Sequence, residues 1–434
     1  MSHTSLADDD AVFARVAWRI LPLLMLAWLF AYIDRVNVGF AKLQMATDLQ
    51  FSDAVYGFGA GIFFLGYVLF EIPSNLILHR VGARRWIGRI MITWSVFAAL
   101  TAFVRTPLEF YVIRFLLGVA EAGFIPGAVY FLSQWIPSRR RGRVFGIFYL
   151  SLAGSGLIGG PLSGAVLAWM SGYMGFAGWK WLLLIEALPS LIIGVLIVLL
   201  LPDRPETVPW LNPDERRRVT DALAADLQQQ SGALQASELW RSPIIWLLVL
   251  IYFLLNYSAY GLSFWLPTLV QGFGVSGTLE IGLLSSVPSL CSMICMVIFG
   301  FSADRHNERR WHLTAMFLIG GLGFVVTVLG KGGLLPGMVG LCMAAICTQA
   351  FPSLFWAVPT RLLSGVSAAA GLALINALGN LAGFFGPYLV GLLRGTSWGT
   401  DGAVFSLAAT LFASAILVHV LPARLIDRPE GQRA

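Results

Sequence analysis

Two opposite charges, Asp34 and Arg35, stand side by side inside the largely apolar 23-residue run from Trp18 to Phe40. About 20 apolar residues suffice to cross a bilayer. A charge at the centre of a lipid-facing helix costs about 3 kcal/mol, so such side chains normally face a cavity and act there. A guanidinium stays charged and offers a planar fork that fits a carboxylate. A carboxyl group can take up and release a proton. A second pair, Arg114 and Glu121, lies in the fourth apolar run. Seven residues apart, the two share one helix face, two turns from each other. The chemistry on offer is recognition of a small anion by arginine and proton exchange by Asp34 and Glu121. No histidine competes for the proton role: His3, His79, His306 and His312 are terminal or in loops, and His419 closes the last run. Burial favours a neutral carboxyl and a neighbouring arginine favours the charged form. A protein that alternates those two influences can load and unload the same acid. The plainer reading is a set of fixed ion pairs that position helices, with Arg114 holding Glu121 or Asp34.

The elements that must place these residues are membrane helices. Of the 434 residues, 57% are apolar and 12% charged, against about 25% charged in a soluble domain. Mean hydropathy is +0.77. The net charge of +6 is spread over short loops rather than gathered on one polar face, which excludes a nucleic-acid partner. Cys291, Cys295, Cys342 and Cys347 all fall within apolar runs and lack the flanks of a metal site. No nucleophile–base arrangement, metal-ligand cluster or phosphate-binding loop points to an enzyme or a cofactor. Met1 to Asp10 is acidic and polar, without the basic start of a signal peptide, so the first run is expected to stay as a helix.

Twelve runs are long enough to cross, near 18–40, 55–78, 86–104, 109–133, 144–170, 181–201, 243–270, 281–303, 313–330, 335–357, 367–393 and 402–421. The one long link, Pro202 to Ser242, divides them six and six. This predicts an all-α membrane protein with an N-terminal bundle (1–201), a linker (202–242) and a C-terminal bundle (243–434). Within the linker, Asn212-Pro213-Asp214-Glu215 reads as a helix start. Most arginines fall on one side if both termini are cytoplasmic, and Lys42, Lys180 and Lys331 fall outside, which sets the orientation. The halves echo each other. Ala83-Arg84-Arg85-Trp86 matches Glu308-Arg309-Arg310-Trp311 at an offset of 225, and Gly160-Pro161 matches Gly386-Pro387 at 226. Parallel repeats of this kind place the substrate near the midplane, between the halves.

Several motifs are similar to those of a known family. Six plus six spans, the basic loops after spans two and eight, and Trp135-Ile136-Pro137 followed by Arg141-Gly142-Arg143 resemble the major facilitator superfamily. Tyr32-Ile33-Asp34-Arg35-Val36-Asn37, Glu71-Ile72-Pro73-Ser74-Asn75, Glu121-Ala122-Gly123 and Ala373-Leu374-Ile375-Asn376 resemble its anion:cation symporter family, which includes bacterial galactonate, tartrate, phthalate and hydroxyphenylacetate permeases. Gly300 to His312 resembles the tartrate, phthalate and hydroxyphenylacetate branch. The resemblance implies a proton-coupled symporter of the bacterial inner membrane, monomeric in the bilayer, importing a small mono- or dicarboxylate, hydroxylated or aromatic. It implies that Arg35 contacts substrate, that Arg114 serves coupling and that Asp34 and Glu121 titrate, with the proton as coupling ion and no other cofactor. The resemblance also implies that more than one proton accompanies each substrate.

The same comparison puts Tyr32 and Tyr67 in the site, with Ser353, Trp356 and Asn376 from the C-half. Asn380 joins them because it lies four residues from Asn376, on the same face. Helix packing is the competing role for each. Glu71 reads as a gating or packing residue and Glu186 as structural. The offset carries Asp34 onto Ala259 and Glu121 onto Ile346, so coupling belongs to the N-half and specificity to the C-half. Arg80, Arg84 and Arg85, with Asp304, Arg305, Arg309 and Arg310, form a cytoplasmic gate that braces an outward-open state. The second loop lacks the usual acid of the superfamily pattern, with Asn75 and His79 nearby instead. Gly156-x-x-x-Gly160-Pro161-x-x-Gly164 fits a pattern known from antiporters and supports an exchanger or exporter as the alternative. A non-transporting membrane sensor is the alternative of another class, and the linker and tails are too short for a signalling domain.

Overall fold

The computed structural model describes residues 3–229, 241–306, 308–356, 358–359 and 365–422, and every regular element among them is helical. Among the described residues, eleven helices are long and apolar enough to cross a membrane: Asp10–Asp48, Asp53–Val81, Ala83–Phe103, Pro107–Ser133, Arg140–Trp169, Gly178–Leu200, Pro243–Gly272, Thr278–Ala303, Arg310–Leu329, Gly371–Arg394 and Gly399–Val420. A shorter apolar helix, Leu334–Ala350, follows the ninth of these in the chain. With it inserted there, the helices are spans one to twelve. Span one begins, and span twelve ends, at what we term the terminal face. Odd and even spans run in opposite directions between it and the distal face.

Boundaries depart from the sequence expectation where the backbone chemistry changes. Span one is longer than 18–40 and carries its helix on to Asp48. Span four does not run unbroken from 109 to 133. Its helix ends at Glu121, and Gly123 adopts φ +86° before a new helix starts at Phe124. Glycine takes that left-handed conformation without steric penalty. The carbonyl of Ala122 freed by the break accepts a hydrogen bond from the Ser74 hydroxyl at 2.6 Å, as an apolar surrounding demands. Span ten stops at Ala350 rather than 357, because Pro352 cannot continue the hydrogen-bond ladder. A four-residue helix, Pro352–Phe355, follows.

The linker helix, Pro213–Gln229, starts where its sequence says. Glu215 N–H donates to Asn212 Oδ1 at 2.8 Å, and Asn212 N–H donates to Glu215 Oε2 at 3.0 Å. This reciprocal cap satisfies two otherwise orphaned donors. Arg15 reaches Glu215 at 2.7 Å, and Trp210 stacks on Trp135 with ring centroids 6.1 Å apart. The linker is thereby docked under the first six spans.

The first six and last six spans meet along two close seams and one looser one. Span five lies on span eight through Gly156, Gly160, Gly164 and Gly282. A Cβ added to Gly160 would stand 2.6 Å from the carbonyl oxygen of Gly282. Span two lies on span eleven in the same manner, with Gly57 facing the Pro387 carbonyl and Gly61 the Phe384 carbonyl. Small residues let helix backbones approach this closely, which is how helices gain packing contact in lipid. The Gly-Pro pairs that repeat in the sequence, Gly160-Pro161 and Gly386-Pro387, thus sit in or beside the two seams. Span one touches span seven, where Gly39 faces the Phe264 carbonyl.

Candidate functional site

Spans one and four bring two of the four membrane charges into contact, in a pairing that chain spacing does not suggest. Arg35 forms an ion pair with Glu121. Arg114 does not hold Glu121. It is buried, donates from Nε to the Gly59 carbonyl at 3.4 Å and lies over the Phe63 ring at 5.2 Å. Asp34 is not paired with either arginine. Its Oδ2 accepts hydrogen bonds from the Ser190 hydroxyl at 2.5 Å and the Trp94 indole at 3.0 Å, both neutral. The expectation that Arg114 holds Glu121 or Asp34 therefore does not describe this conformation. The reason is geometric: Arg35 stands across from Glu121, while Asp34, one residue earlier, turns to spans three and six.

Arg35 is framed by aromatic rings, with Tyr67 at 5.3 Å, Phe63 at 5.4 Å and Tyr32 at 6.0 Å from its guanidinium carbon. Tyr260 of span seven faces it from the other half. The Tyr260 hydroxyl also donates to Asn380 Oδ1 at 3.2 Å. Asn376 donates to Glu71 at 3.4 Å, so Glu71 joins spans two and eleven across the interface. Trp356 packs edge-on against Tyr252 at 5.0 Å. The side chain of Ser353 lies outside the described residues.

A cavity of about 160 Å³ opens beside this group, bounded by spans one, five, seven, eight and ten. Of the residues expected to bind substrate, Tyr32 lines it directly. Asn380 and Trp356 stand one layer back, behind the lining residues Tyr260 and Tyr252. The sequence reading missed Tyr260, Asn256 and Gln349 as wall residues. Their signal was present: each is a polar group inside an apolar run, the same signal that singled out Asp34.

On the distal side an ion-pair cluster, termed here the distal seal, joins spans one and two to span eleven. Asp53 takes Lys42 at 2.8 Å and Arg394 of span eleven at 2.8 Å. Both cations lie over the Trp265 ring, at 4.6 and 4.9 Å. The Tyr56 hydroxyl donates to the Phe264 carbonyl at 2.9 Å. On the terminal face two of the expected gate residues, Arg84 and Arg310, hold partners inside their own half. Arg84 donates to the Val198 carbonyl at 2.6 Å and lies 3.6 Å from Asp203, and Arg310 donates to the Leu421 carbonyl at 2.5 Å. Arg80, Arg85 and Arg305 are exposed, Arg309 is half-buried, and the side chain of Asp304 lies outside the described residues.

A family model described as the Major Facilitator Superfamily matches residues 24–387. The chain belongs to the major facilitator superfamily. It is similar to the candidate metabolite transport protein NicT of Pseudomonas putida, 42% identical over 419 residues and 96% of each chain. It is 41% identical to a candidate tartrate transporter of Agrobacterium vitis, over 95% of this chain and 92% of that one. It is 38% identical to a quinolone resistance transporter of Acinetobacter baumannii, over 96% of each. The structure of a D-xylose-proton symporter superposes with a TM-score of 0.74 at 12% identity, covering 94% of this chain and 98% of that one, a likeness of fold. As a superfamily member the protein is a multi-pass membrane transporter of small molecules, not an enzyme. Among the described residues no group of three or more His, Cys, Asp or Glu is placed to hold a metal.

Proposed function

We propose that the protein is a proton-coupled symporter that imports a small organic anion, a mono- or dicarboxylate, across the bacterial inner membrane by alternating access, with both termini in the cytoplasm. The observation that carries this reading is the Arg35–Glu121 ion pair at the interface of the halves, with Asp34 beside it bonded only to neutral donors. An anion arriving at Arg35 competes with Glu121 for the same guanidinium. Glu121, displaced into a dry surrounding, is best accommodated with a proton, since a buried carboxylate without a cation is costly. Substrate and proton then load together. Arg114, one residue layer away, supplies a cation that an ionised Glu121 can meet in another conformation.

Spans 1–201 and 243–434 would rock as two bodies about the seams, with 202–242 as the connection. The distal seal of Lys42, Asp53 and Arg394 opens as the terminal face closes, when Arg80, Arg84 and Arg85 meet Asp304, Arg305 and Arg309. The curated tartrate and metabolite transporter relatives support the organic-acid reading. The quinolone resistance relative supports an exchanger or exporter as the second reading. The span-five glycines count little for that second reading, because close approach to span eight accounts for them.

Uptake of labelled carboxylates into proteoliposomes separates the two. Accumulation above equilibrium that requires an inward proton gradient is expected of a symporter. Counterflow against internal substrate with no response to the gradient would establish exchange and overturn the proposal.

A further inference from the structure

Span six carries a buried acid that the proposed cycle does not use. Glu186 is 0% exposed. Its Oε1 accepts from the Ser163 hydroxyl at 2.7 Å, and its Oε2 has no hydrogen-bond partner. The Asn37 amide approaches it without closing a bond. Among the described residues no arginine or lysine acts on it. A carboxyl that served only to pack helices here would cost more than an apolar side chain of its size, because burial strips it of water and nothing repays the loss.

Asp34 is built on the same plan. Its Oδ2 takes the Ser190 hydroxyl and the Trp94 indole, and its Oδ1 is unbonded. The two acids are neighbours: Asp34 is the charged group whose field reaches Glu186. Ser190, which donates to Asp34, lies four residues after Glu186 on the same face of span six. Two neighbouring buried carboxyls without a cation cannot both be ionised cheaply, so the pair is suited to hold a proton on one member or the other. The remaining groups around them are known. Glu121 of span four also faces Asp34, but it has Arg35 as partner. Trp94 of span three, Ser163 of span five and Asn37 of span one present neutral groups only.

The order along the membrane is fixed by the helices. Span six starts at the distal face with Gly178, so Glu186 lies eight residues in, a depth of about 12 Å. The Ser190–Asp34 contact is one turn deeper. Glu186 therefore stands between Asp34 and the distal face. Its two other polar neighbours, Ser163 and Asn37, both line the cavity between the halves, where water enters when the distal side opens.

We propose that Glu186 is a proton relay residue, which takes a proton from the distal side through the cavity wall at Ser163 and Asn37 and hands it to Asp34. The transfer breaks one O–H bond on the Glu186 carboxyl and makes one on the Asp34 carboxyl, so charge moves between the two and no redox partner is involved. The proposal rests on the symport reading and adds a third acid to it.

The test is labelled-carboxylate transport by the purified full-length protein in proteoliposomes, with wild type, Glu186→Gln and Glu186→Asp. Glutamine keeps the shape and can still bond Ser163, but it carries no exchangeable acid proton. It is expected to slow gradient-driven uptake about 100-fold, the lower scale for a positioned proton-transfer group, and to leave gradient-free exchange near the wild-type rate. Glu186→Asp, which keeps an acid, is expected to keep the response to the gradient. Should the glutamine variant fail to insert, Ser163→Ala removes only the hydroxyl that holds Glu186, and it is expected to move the pH midpoint of gradient-driven uptake by about half a unit or more, the worth of one hydrogen bond. Uptake undiminished in Glu186→Gln, uptake and exchange lowered in equal measure, or an unmoved midpoint in Ser163→Ala would overturn the inference and leave the symport reading standing. A wild type that ignores the proton gradient would remove the symport reading, and this inference with it.

Discussion

Asp34 and Arg35 are adjacent in the chain, yet their side chains serve different parts of the molecule: Arg35 pairs with Glu121 of span four, and Asp34 accepts from Trp94 and Ser190 of spans three and six. One carboxylate in the group has a cation and the other has only neutral donors. The two carboxylates therefore meet different electrostatic surroundings in this conformation.

The Arg35–Glu121 pair makes a prediction about stability as well as transport. Arg35→Gln leaves Glu121 buried without its cation and is expected to lower stability by about 3–5 kcal/mol. The double variant Arg35→Gln/Glu121→Gln is expected to recover most of that loss and none of the transport. Thermal unfolding in detergent beside an uptake assay measures both. Equal stability of single and double variants would mean that the pair does not form.

Changes in the C-half should alter choice of substrate before they alter coupling. Asn376→Ala frees Glu71 from its 3.4 Å contact, and Trp356→Ala removes the ring packed on Tyr252. Both are expected to shift the relative uptake of a carboxylate panel by about tenfold, the scale of one lost hydrogen bond or packed ring. The ratio of proton to substrate flux should stay at the wild-type value. A fall in that ratio for either variant would contradict the division of labour between the halves.

The distal seal depends on one carboxylate. Asp53→Asn leaves the buried Lys42 facing Arg394 without an anion between them. The balance should move towards a conformation open on the distal face. Spin labels at Thr47 and Ser397, both exposed on that face, are expected to give one short distance in the wild type and to add a longer one in the variant. An unchanged distance distribution would show that apolar packing alone closes the seal.

The span five–span eight seam is equally exacting. A side chain at Gly282 would meet the Gly160 carbonyl oxygen at 2.4 Å. Gly282→Val should therefore force the helices apart, at about 1–3 kcal/mol for overpacking. Transport is expected to fall at least tenfold with the protein still inserted in the membrane, as judged by surface labelling beside uptake. Wild-type transport in this variant would mean that the seam is not part of the working cycle.

Much of this was legible in the chain. Charges inside apolar runs stand out against the bilayer, so Asp34, Arg35, Arg114 and Glu121 were visible at once. The linker helix was visible too, since Asn212 and Glu215 have the spacing of a reciprocal cap. What the chain does not carry is which charge meets which. Arg114 and Glu121 share a helix face, and local spacing favours pairing them, but Arg35 comes from a helix 86 residues away and reaches Glu121 by tertiary packing. The uncharged wall residues Asn37 and Asn256 are faint for another reason: an amide in a membrane helix is as often a packing contact as a ligand contact, and their place on a cavity wall comes from tertiary packing alone. The break after Glu121 could have been read from Gly123, whose left-handed backbone few other residues adopt.

The central claim is that a proton is carried by the acid group around Arg35, with Asp34 as one carrier. The most direct test is labelled-carboxylate transport into proteoliposomes by the wild type and Asp34→Asn, with and without an inward proton gradient. The asparagine keeps the size of Asp34 and its hydrogen-bonding capacity towards Ser190. Loss of gradient-driven accumulation with gradient-free exchange retained is the result this account predicts. Undiminished accumulation in Asp34→Asn would contradict it and leave Asp34 as a structural anchor between spans one, three and six.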